Sequence, residues 1–310
     1  MASSGPLRVG LLSTANINRR ILEGAAASDG AAEVVAVASR DEDRARAYAR
    51  ENGIERAHGS YEALLADDAV DAVYVSLPNS MHVDWSIRAL QAGKHVLCEK
   101  PLSRRPAEVE RAFDAAERAG RVLMEAFMWR HTPQARMLTE LVGRLGPLRM
   151  VRAQFSFPGV QAGNVRLASA LDGGALMDVG CYCVSAARLV IGAEPVAFTG
   201  QQVIGGDGVD LRFAGTMRFP GDVLAHFDCG MDTAGRSELE VAGAEGTLVV
   251  RDPWHSRDVG IEFDGERIPV DFRDPYACEL EALAAGEPRF GRADAVGQAK
   301  AIAGLYRASQ

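Results

Sequence analysis

The chain is poor in cysteine, with five in 310 residues, at positions 98, 181, 183, 229 and 278. An odd, scattered set excludes a disulfide framework, and Cys181-Tyr182-Cys183 has neither the spacing nor the partners of a zinc site or a CxxC redox pair. The five read as small buried hydrophobes. His58, His95, His131, His226 and His255 show no metal-ligand spacing, so no metal is expected. Positive charge is outnumbered, with 34 Lys and Arg against 42 Asp and Glu. A net charge of −8, with basic residues spread evenly, argues against nucleic acid, so any anionic ligand must be held by a local arrangement. No apolar run reads as long enough to span a bilayer, so no membrane partner is expected. The start, "MASSGPLRVGLLS", lacks the basic segment and long apolar stretch of a secretory signal, which gives a cytoplasmic location as the expectation.

What is present is an ordinary globular composition, 47% hydrophobic and 25% charged, in a length that suits two domains. Up to about residue 126, near-continuous apolar runs alternate with helical patterns. "LRVGLL", "EVVAVAS", "VDAVYVSL", "KHVLCE" and "RVLMEAF" read as parallel strands covered on both faces. "DEDRARAYARENG", "SMHVDWSIRALQAG" and "RPAEVERAFDAAERAG" read as helices with polar starts and terminal glycines. This alternation predicts an α/β fold, a Rossmann-type doubly wound parallel sheet over residues 1–126. Residues 127–310 differ in texture. A helix, a strand, a second helix ("GGALMDVGCYCVSAARLVIG") and then short alternating segments divided by Gly, Pro and Asp predict an α+β domain on a large open, mostly antiparallel sheet. The amphipathic tail is expected to close this domain or to pack back on the first.

In a doubly wound sheet a dinucleotide pyrophosphate sits on the first strand-to-helix turn. Here that turn is "GLLSTANIN", where Ser13, Ala15 and Asn18 stand at the three glycine positions of GxGxxG. Taken alone it reads equally as a tight turn that binds nothing. Ser13 and Ala15 are small enough for close backbone approach, Ser13 and Thr14 add hydroxyls, and Asn16 or Asn18 can satisfy the turn, so Ser13, Thr14, Ala15, Asn16 and Ile17 form the candidate cradle. After the second strand the acid expected for an NAD ribose is replaced by Ser39 and Arg40. A guanidinium fork suits a 2′-phosphate, which favours NADP(H) and leaves NAD(H) open.

"EKP" (Glu99, Lys100, Pro101) at the end of a late strand, with "SLPNSMH" one strand earlier, resembles the Gfo/Idh/MocA family of nicotinamide-dependent oxidoreductases. "EAFMWRHTPQ" and "GGALMDVGCYCVSAARLVIG" extend the resemblance over essentially the whole chain. They are similar to the branch containing dimeric dihydrodiol dehydrogenases and NADP-dependent xylose or glucose dehydrogenases, in which tyrosine stands where most of the family has histidine. The resemblance implies a Rossmann domain followed by a substrate and oligomerisation domain, and hydride transfer to or from a sugar-like substrate.

The residues support that chemistry in their own right. Leu77, Pro78, Asn79, Glu99 and Lys100 fall at carboxyl ends of parallel strands, where such sheets bind ligands. Pro101 restricts Lys100 to extended backbone and leaves both trans and cis bonds open. Asp178 and Tyr182 are four apart and would share a helix face. If that face meets the mouth of the Rossmann domain, Lys100, Asp178 and Tyr182 converge, and the ammonium lowers the phenol pKa from its reference of about 10. Tyr182 is then the general base for alcohol oxidation, Lys100 tunes it, and Asp178 orients the sugar or holds Lys100. Glu99 is expected to bond cofactor or backbone. His82 either caps its helix, touches the cofactor or is structural, and Trp129 and Arg130 either line the nicotinamide pocket or, for Trp129, pack a domain interface. Two alternatives stand beside the enzyme: a nucleotide-binding sensor without turnover, and a degenerate partner subunit. Open sheets leave a face to cover, so a homodimer or homotetramer is expected through it.

Overall fold

The computed structural model describes residues 5–286 and 288–310, so the first four residues of the N-terminal stretch lie outside the described part. The chain forms two compact units, one of Met1–Met128 with Asp274–Val296, the other of Trp129–Arg273 with Gly297–Gln310.

In the first unit, β1 (Leu7–Leu11), α1 (Asn18–Ala26), β2 (Ala32–Ala38), α2 (Glu42–Asn52), β3 (Arg56–His58), α3 (Tyr61–Leu65), β4 (Ala72–Val75), α4 (His82–Gln91), β5 (His95–Glu99), α5 (Pro106–Ala119) and β6 (Leu123–Ala126) follow one another. The six strands pair in parallel in the order β3-β2-β1-β4-β5-β6. That order reverses between β1 and β4, which opens a crevice at their carboxyl ends, where such sheets bind ligands. The apolar runs are buried on both faces, with Val9, Leu11, Val37, Leu97 and Met124 in one core. Helix boundaries follow local chemistry. The Asp41 carboxylate accepts the Arg44 N–H at the start of α2, and Gly53 and Gly120 close α2 and α5 in the left-handed conformation.

In the second unit, α6 (Pro133–Val142) and β7 (Leu148–Ser156) precede a loop, a π-helical turn at Leu176–Gly180, and α7 (Cys181–Ile191). Then come β8 (Ala197–Ile204), β9 (Asp210–Arg218), β10 (Leu224–Gly230), β11 (Arg236–Gly243), β12 (Thr247–Val250), β13 (Gly260–Phe263) and β14 (Glu266–Pro269). Eight strands form one sheet ordered β14-β13-β12-β11-β7-β10-β9-β8, antiparallel except where β7 runs parallel to β10. The π-turn and α7 lie on one face, over Val151, Ala153, Phe227, Leu239 and Val241, all nearly inaccessible. The stretch Ser169–Ile191 is long and apolar enough by length and composition to cross a bilayer, where the sequence pattern predicts no such run. Its most apolar window is 83% buried, so its hydrophobicity serves the core of this unit. All five cysteines are buried free thiols, and burial pushes the Cys98, Cys183 and Cys229 pKa values well up.

The chain then supplies α8 (Pro275–Ala284) and α9 (Arg292–Ala308). Helix α8 completes the first unit, where Leu280 and Leu283 join the core that holds Val9 and Ile21. Burying each such leucine stabilises by about 2 kcal/mol. The approach of α8 to α1 is close at Gly24, where a Cβ would lie 2.6 Å from the Tyr276 side chain.

Candidate active site

The β1–α1 turn is built from side chains where glycines are usual. The Ser13 hydroxyl meets the Ser76 hydroxyl at 2.7 Å and takes the Ala15 N–H at 3.1 Å. Asn18 is fully buried; its amide donates to the Ser13 carbonyl and accepts from the Ser76 hydroxyl, both at 2.7 Å. This ring ties the turn to the end of β4. The N–H groups of Thr14, Asn16 and Ile17 find no acceptor among the described residues. Three amides at a helix N-terminus, beside the small Ser13, Thr14 and Ala15, fit a pyrophosphate.

At the end of β2, Ser39 is buried and its hydroxyl takes the Asp41 N–H at 3.3 Å. Asp41, the first acid after the strand, is committed to capping α2. Arg40 is exposed and forms no ion pair among the described residues. The strand end therefore offers a cation and a hydroxyl, the donor set that fits a 2′-phosphate.

Leu77, Pro78 and Asn79 form the turn before α4, and the Lys100–Pro101 bond at the end of β5 is cis. His82 joins these two turns. It is 1% exposed, with Nε2 2.8 Å from the Leu77 carbonyl and Nδ1 2.9 Å from the Pro101 carbonyl. Its side chain makes no helix cap. Burial is the larger influence and holds the imidazole pKa below its ordinary value, against the pull of both carbonyls. The unfolded chain takes up a proton below about pH 6.5 while the buried ring resists, so stability falls as pH drops through that range. His82→Gln is expected to cost about 1–3 kcal/mol at neutral pH and to flatten this acid dependence, measured as urea midpoints at pH 7 and pH 5.5.

Glu99 and Lys100 are framed by two further polar groups. Tyr74 of β4, fully buried, donates its hydroxyl to Glu99 Oε1, and Glu99 Oε2 takes the Lys100 N–H at 3.2 Å. Burial first, and then the Glu99 charge, push the Tyr74 pKa well up. Glu125 of β6 accepts the Leu102 N–H at 2.7 Å, holding the backbone just after Pro101. The expected backbone bond of Glu99 is thus present, whereas Tyr74, Glu125 and the double contact of His82 were missed. A tyrosine and a glutamate inside the otherwise apolar strands "AVYV" and "LMEA" were the available signal.

In the second unit, Tyr182 is 6% exposed and clamped by aromatics. Its ring lies edge-on to Phe155 at 5.2 Å and to Trp254 at 5.8 Å. The Trp254 indole N–H bonds the Gln154 carbonyl at 3.0 Å, and Trp129 meets Trp254 edge-on at 5.6 Å. Arg130 is buried, with its Nε on the Ser185 hydroxyl at 2.7 Å. Asp178 lies in the π-turn, a local widening that often accompanies functional sites, so the four-residue spacing to Tyr182 is not measured along a uniform α-helix. Its carboxylate accepts Arg166 Nε at 2.6 Å. Phe155, Trp254 and Arg166 were not singled out from sequence, because only the folded sheet and loop bring them to Tyr182 and Asp178.

Residues 7–127 match the model of the oxidoreductase family with an NAD-binding Rossmann fold, and residues 136–249 match the GFO/IDH/MocA C-terminal domain. A D-xylose 1-dehydrogenase (NADP(+)) of Haloferax volcanii is 39% identical over 97% of both chains. The trans-1,2-dihydrobenzene-1,2-diol dehydrogenase of Sus scrofa is 33% identical over 77% of this chain and 72% of its own. Among solved structures, a 3-ketoreductase from Actinomadura kijaniata in complex with NADP and TDP-benzene superposes with a TM-score of 0.89 at 32% identity, covering 98% of each chain. The amide cradle, the polar frame around Lys100 and the clamped phenol thus stand in a chain that, over almost its full length, belongs to the Gfo/Idh/MocA family of nicotinamide-dependent oxidoreductases.

Proposed function

We propose that the protein is an NADP(H)-dependent oxidoreductase that moves a hydride between the nicotinamide and a sugar-like alcohol or carbonyl, with Tyr182 as acid and base and Lys100 assisting. The observation that carries this reading is the setting of Tyr182. A buried phenol clamped by Phe155 and Trp254, with a carboxylate at Asp178 just before it, is built to hold a proton donor at one place. The nicotinamide supplies the hydride acceptor or donor. Tyr182 takes the proton of the alcohol as a phenolate in oxidation, and as the phenol returns it to the carbonyl oxygen in reduction. Lys100, aimed by the backbone that Glu99, Glu125 and His82 hold, stabilises the oxygen as it becomes anionic. Asp178 accepts a substrate hydroxyl.

The xylose dehydrogenase and dihydrodiol dehydrogenase relatives support a polyol or cyclic diol as substrate. The test is turnover across a panel of aldoses and dihydrodiols with NADP and NAD in parallel. Turnover of none, with NADPH still bound, would favour a nucleotide sensor, and no NADPH binding would favour a degenerate subunit. The cofactor choice rests on Arg40. Arg40→Ala is expected to raise the KM for NADP about 10–100-fold, the worth of a charge-assisted bond, while the KM for NAD stays within about twofold. A variant that treats the two cofactors as the wild type does removes Arg40 from cofactor selection.

The outer face of the eight-stranded sheet supports self-association. By register, Thr216, His226, Arg152, Glu240, Val249 and Glu262 form a row across it, with Arg152 between His226 and Glu240. This row is half-buried or exposed within the unit. A homodimer or homotetramer through that face is the expected state, checked by light scattering.

A further inference from the structure

From sequence the loop 158–174 is expected to border the substrate, with no side-chain set that names a sugar, and in the fold its Arg166 is tied into a closed circuit with Asp178. The Gly174 N–H bonds the Arg166 carbonyl at 2.9 Å, the Asp178 N–H bonds the Gly174 carbonyl at 2.9 Å, and Arg166 Nε returns to Asp178 Oδ2 at 2.6 Å. Each member of the circuit is fixed independently. The Asn164 side chain takes the Arg166 N–H at 3.0 Å and sets the start of the one-turn helix Val165–Leu167. A Cβ on Gly173 would lie 2.3 Å from the Arg166 carbonyl, so the loop passes as close as backbone allows. Gly174 holds φ at +121°, and its neighbour Asp210 takes the Leu176 N–H at 2.7 Å at the start of the π-turn. The Arg166 side chain is 44% exposed and Asp178 is 14% exposed. A surface ion pair between freely rotating groups contributes little, because fixing both side chains offsets the attraction. Here both backbones are already fixed to Gly174, so the pair selects one orientation of the carboxylate at small entropic cost.

We propose that Arg166 is a positioning residue: it holds one edge of the Asp178 carboxylate so that the group meets a substrate hydroxyl in a fixed direction beside Tyr182. This rests on the reading of Asp178 as a substrate contact. A carboxylate held by a guanidinium keeps oxygen lone pairs with which to accept further hydrogen bonds, which suits a polyol with adjacent hydroxyls better than an apolar alcohol. The bond comes from Nε, a donor set part-way along the side chain that the terminal ammonium of lysine does not reproduce.

The experiment compares Arg166→Ala, Arg166→Lys, Asp178→Asn and the Arg166→Ala/Asp178→Asn double variant, each as the full chain with NADP and the best polyol of the panel. Arg166→Ala is expected to lower kcat/KM about 10–100-fold, chiefly through KM for the polyol, with NADPH affinity unchanged, and Arg166→Lys is expected to recover only a small part. Added guanidinium ion should restore turnover of Arg166→Ala and leave Asp178→Asn and the double variant unaffected. Urea unfolding of the same four proteins and the wild type should return a coupling of about threefold in the unfolding constant, whether or not a substrate is turned over. Wild-type turnover in Arg166→Ala overturns the inference, as do additive effects in the cycle or a loss that guanidinium does not relieve. A wild type inactive on every panel member sinks the proposed reaction instead, and the unfolding cycle still decides whether the pair acts as a unit.

Discussion

Tyr182→Phe is expected to lower kcat about 1,000-fold, with the KM for substrate within a few-fold of the wild type and NADPH binding unchanged, because general acid–base catalysis contributes about 10²–10⁴-fold. The substitution removes one oxygen and keeps the ring that packs against Phe155 and Trp254, so the clamp survives. Thermal denaturation within a few degrees of the wild type establishes that the loss belongs to the chemistry. Single-turnover kinetics locate it at the hydride step rather than at release. Phe155→Leu provides the complementary case: it keeps the hydroxyl and loosens the ring, and is expected to lower kcat by a smaller factor. Normal turnover by Tyr182→Phe would remove the phenol from the mechanism and with it the proposed role of Lys100.

The second large effect concerns stability. Gly174→Ala is expected to destabilise the second unit by about 4 kcal/mol, from backbone strain of about 1–3 kcal/mol and damage to a buried polar network of similar size. A Cβ there would lie 2.2 Å from Asp210 Oδ1 and 3.2 Å from the Tyr306 hydroxyl, and these two groups hydrogen-bond each other at 2.8 Å. Gly192 is the internal control. It also has positive φ, at +70°, but its Cβ would meet nothing within 4 Å, so Gly192→Ala is expected to cost about 1 kcal/mol. At about 2–4 °C per kcal/mol the two variants should differ by roughly 10 °C in Tm by calorimetry. Equal losses would mean that conformation alone, and not crowding against Asp210, decides the position.

Much of the fold was legible because burial on both faces leaves a direct mark. The runs ending at Leu11, Ala38, Val75, Glu99 and Ala126 read as strands because apolar residues dominate them, with Arg8, Glu33 and Glu125 as isolated polar positions. The strand β3 carried no such mark: Arg56, Ala57 and His58 are exposed or half-buried, and only pairing with β2 makes them a strand. Lys100, Asp178 and Tyr182 stand out as candidates because each sits in a recognisable motif near a proline or glycine. The residues that act on them do not. Trp254 is distant in sequence from Tyr182, and Phe155, Trp254 and Arg166 would each pass as an ordinary core or surface residue. The π-turn was equally hidden, since Leu176–Gly180 reads as plain α-helix. Gly180 hints at it only in three dimensions, where a Cβ would lie 2.7 Å from the Cys229 sulfur.

The membership of α8 in the first unit has a bearing on biogenesis. The floor beneath β1 and α1 is laid by Leu280 and Leu283, residues translated long after the rest of the nucleotide-binding sheet. During synthesis that sheet must therefore wait, with α1 uncovered, while the whole of residues 129–273 is made. A fragment cut after β6 would keep the β1–α1 turn, Arg40 and the turns at Leu77 and Lys100 and still present a bare greasy flank, which makes it a poor candidate for excision and a natural client for chaperones.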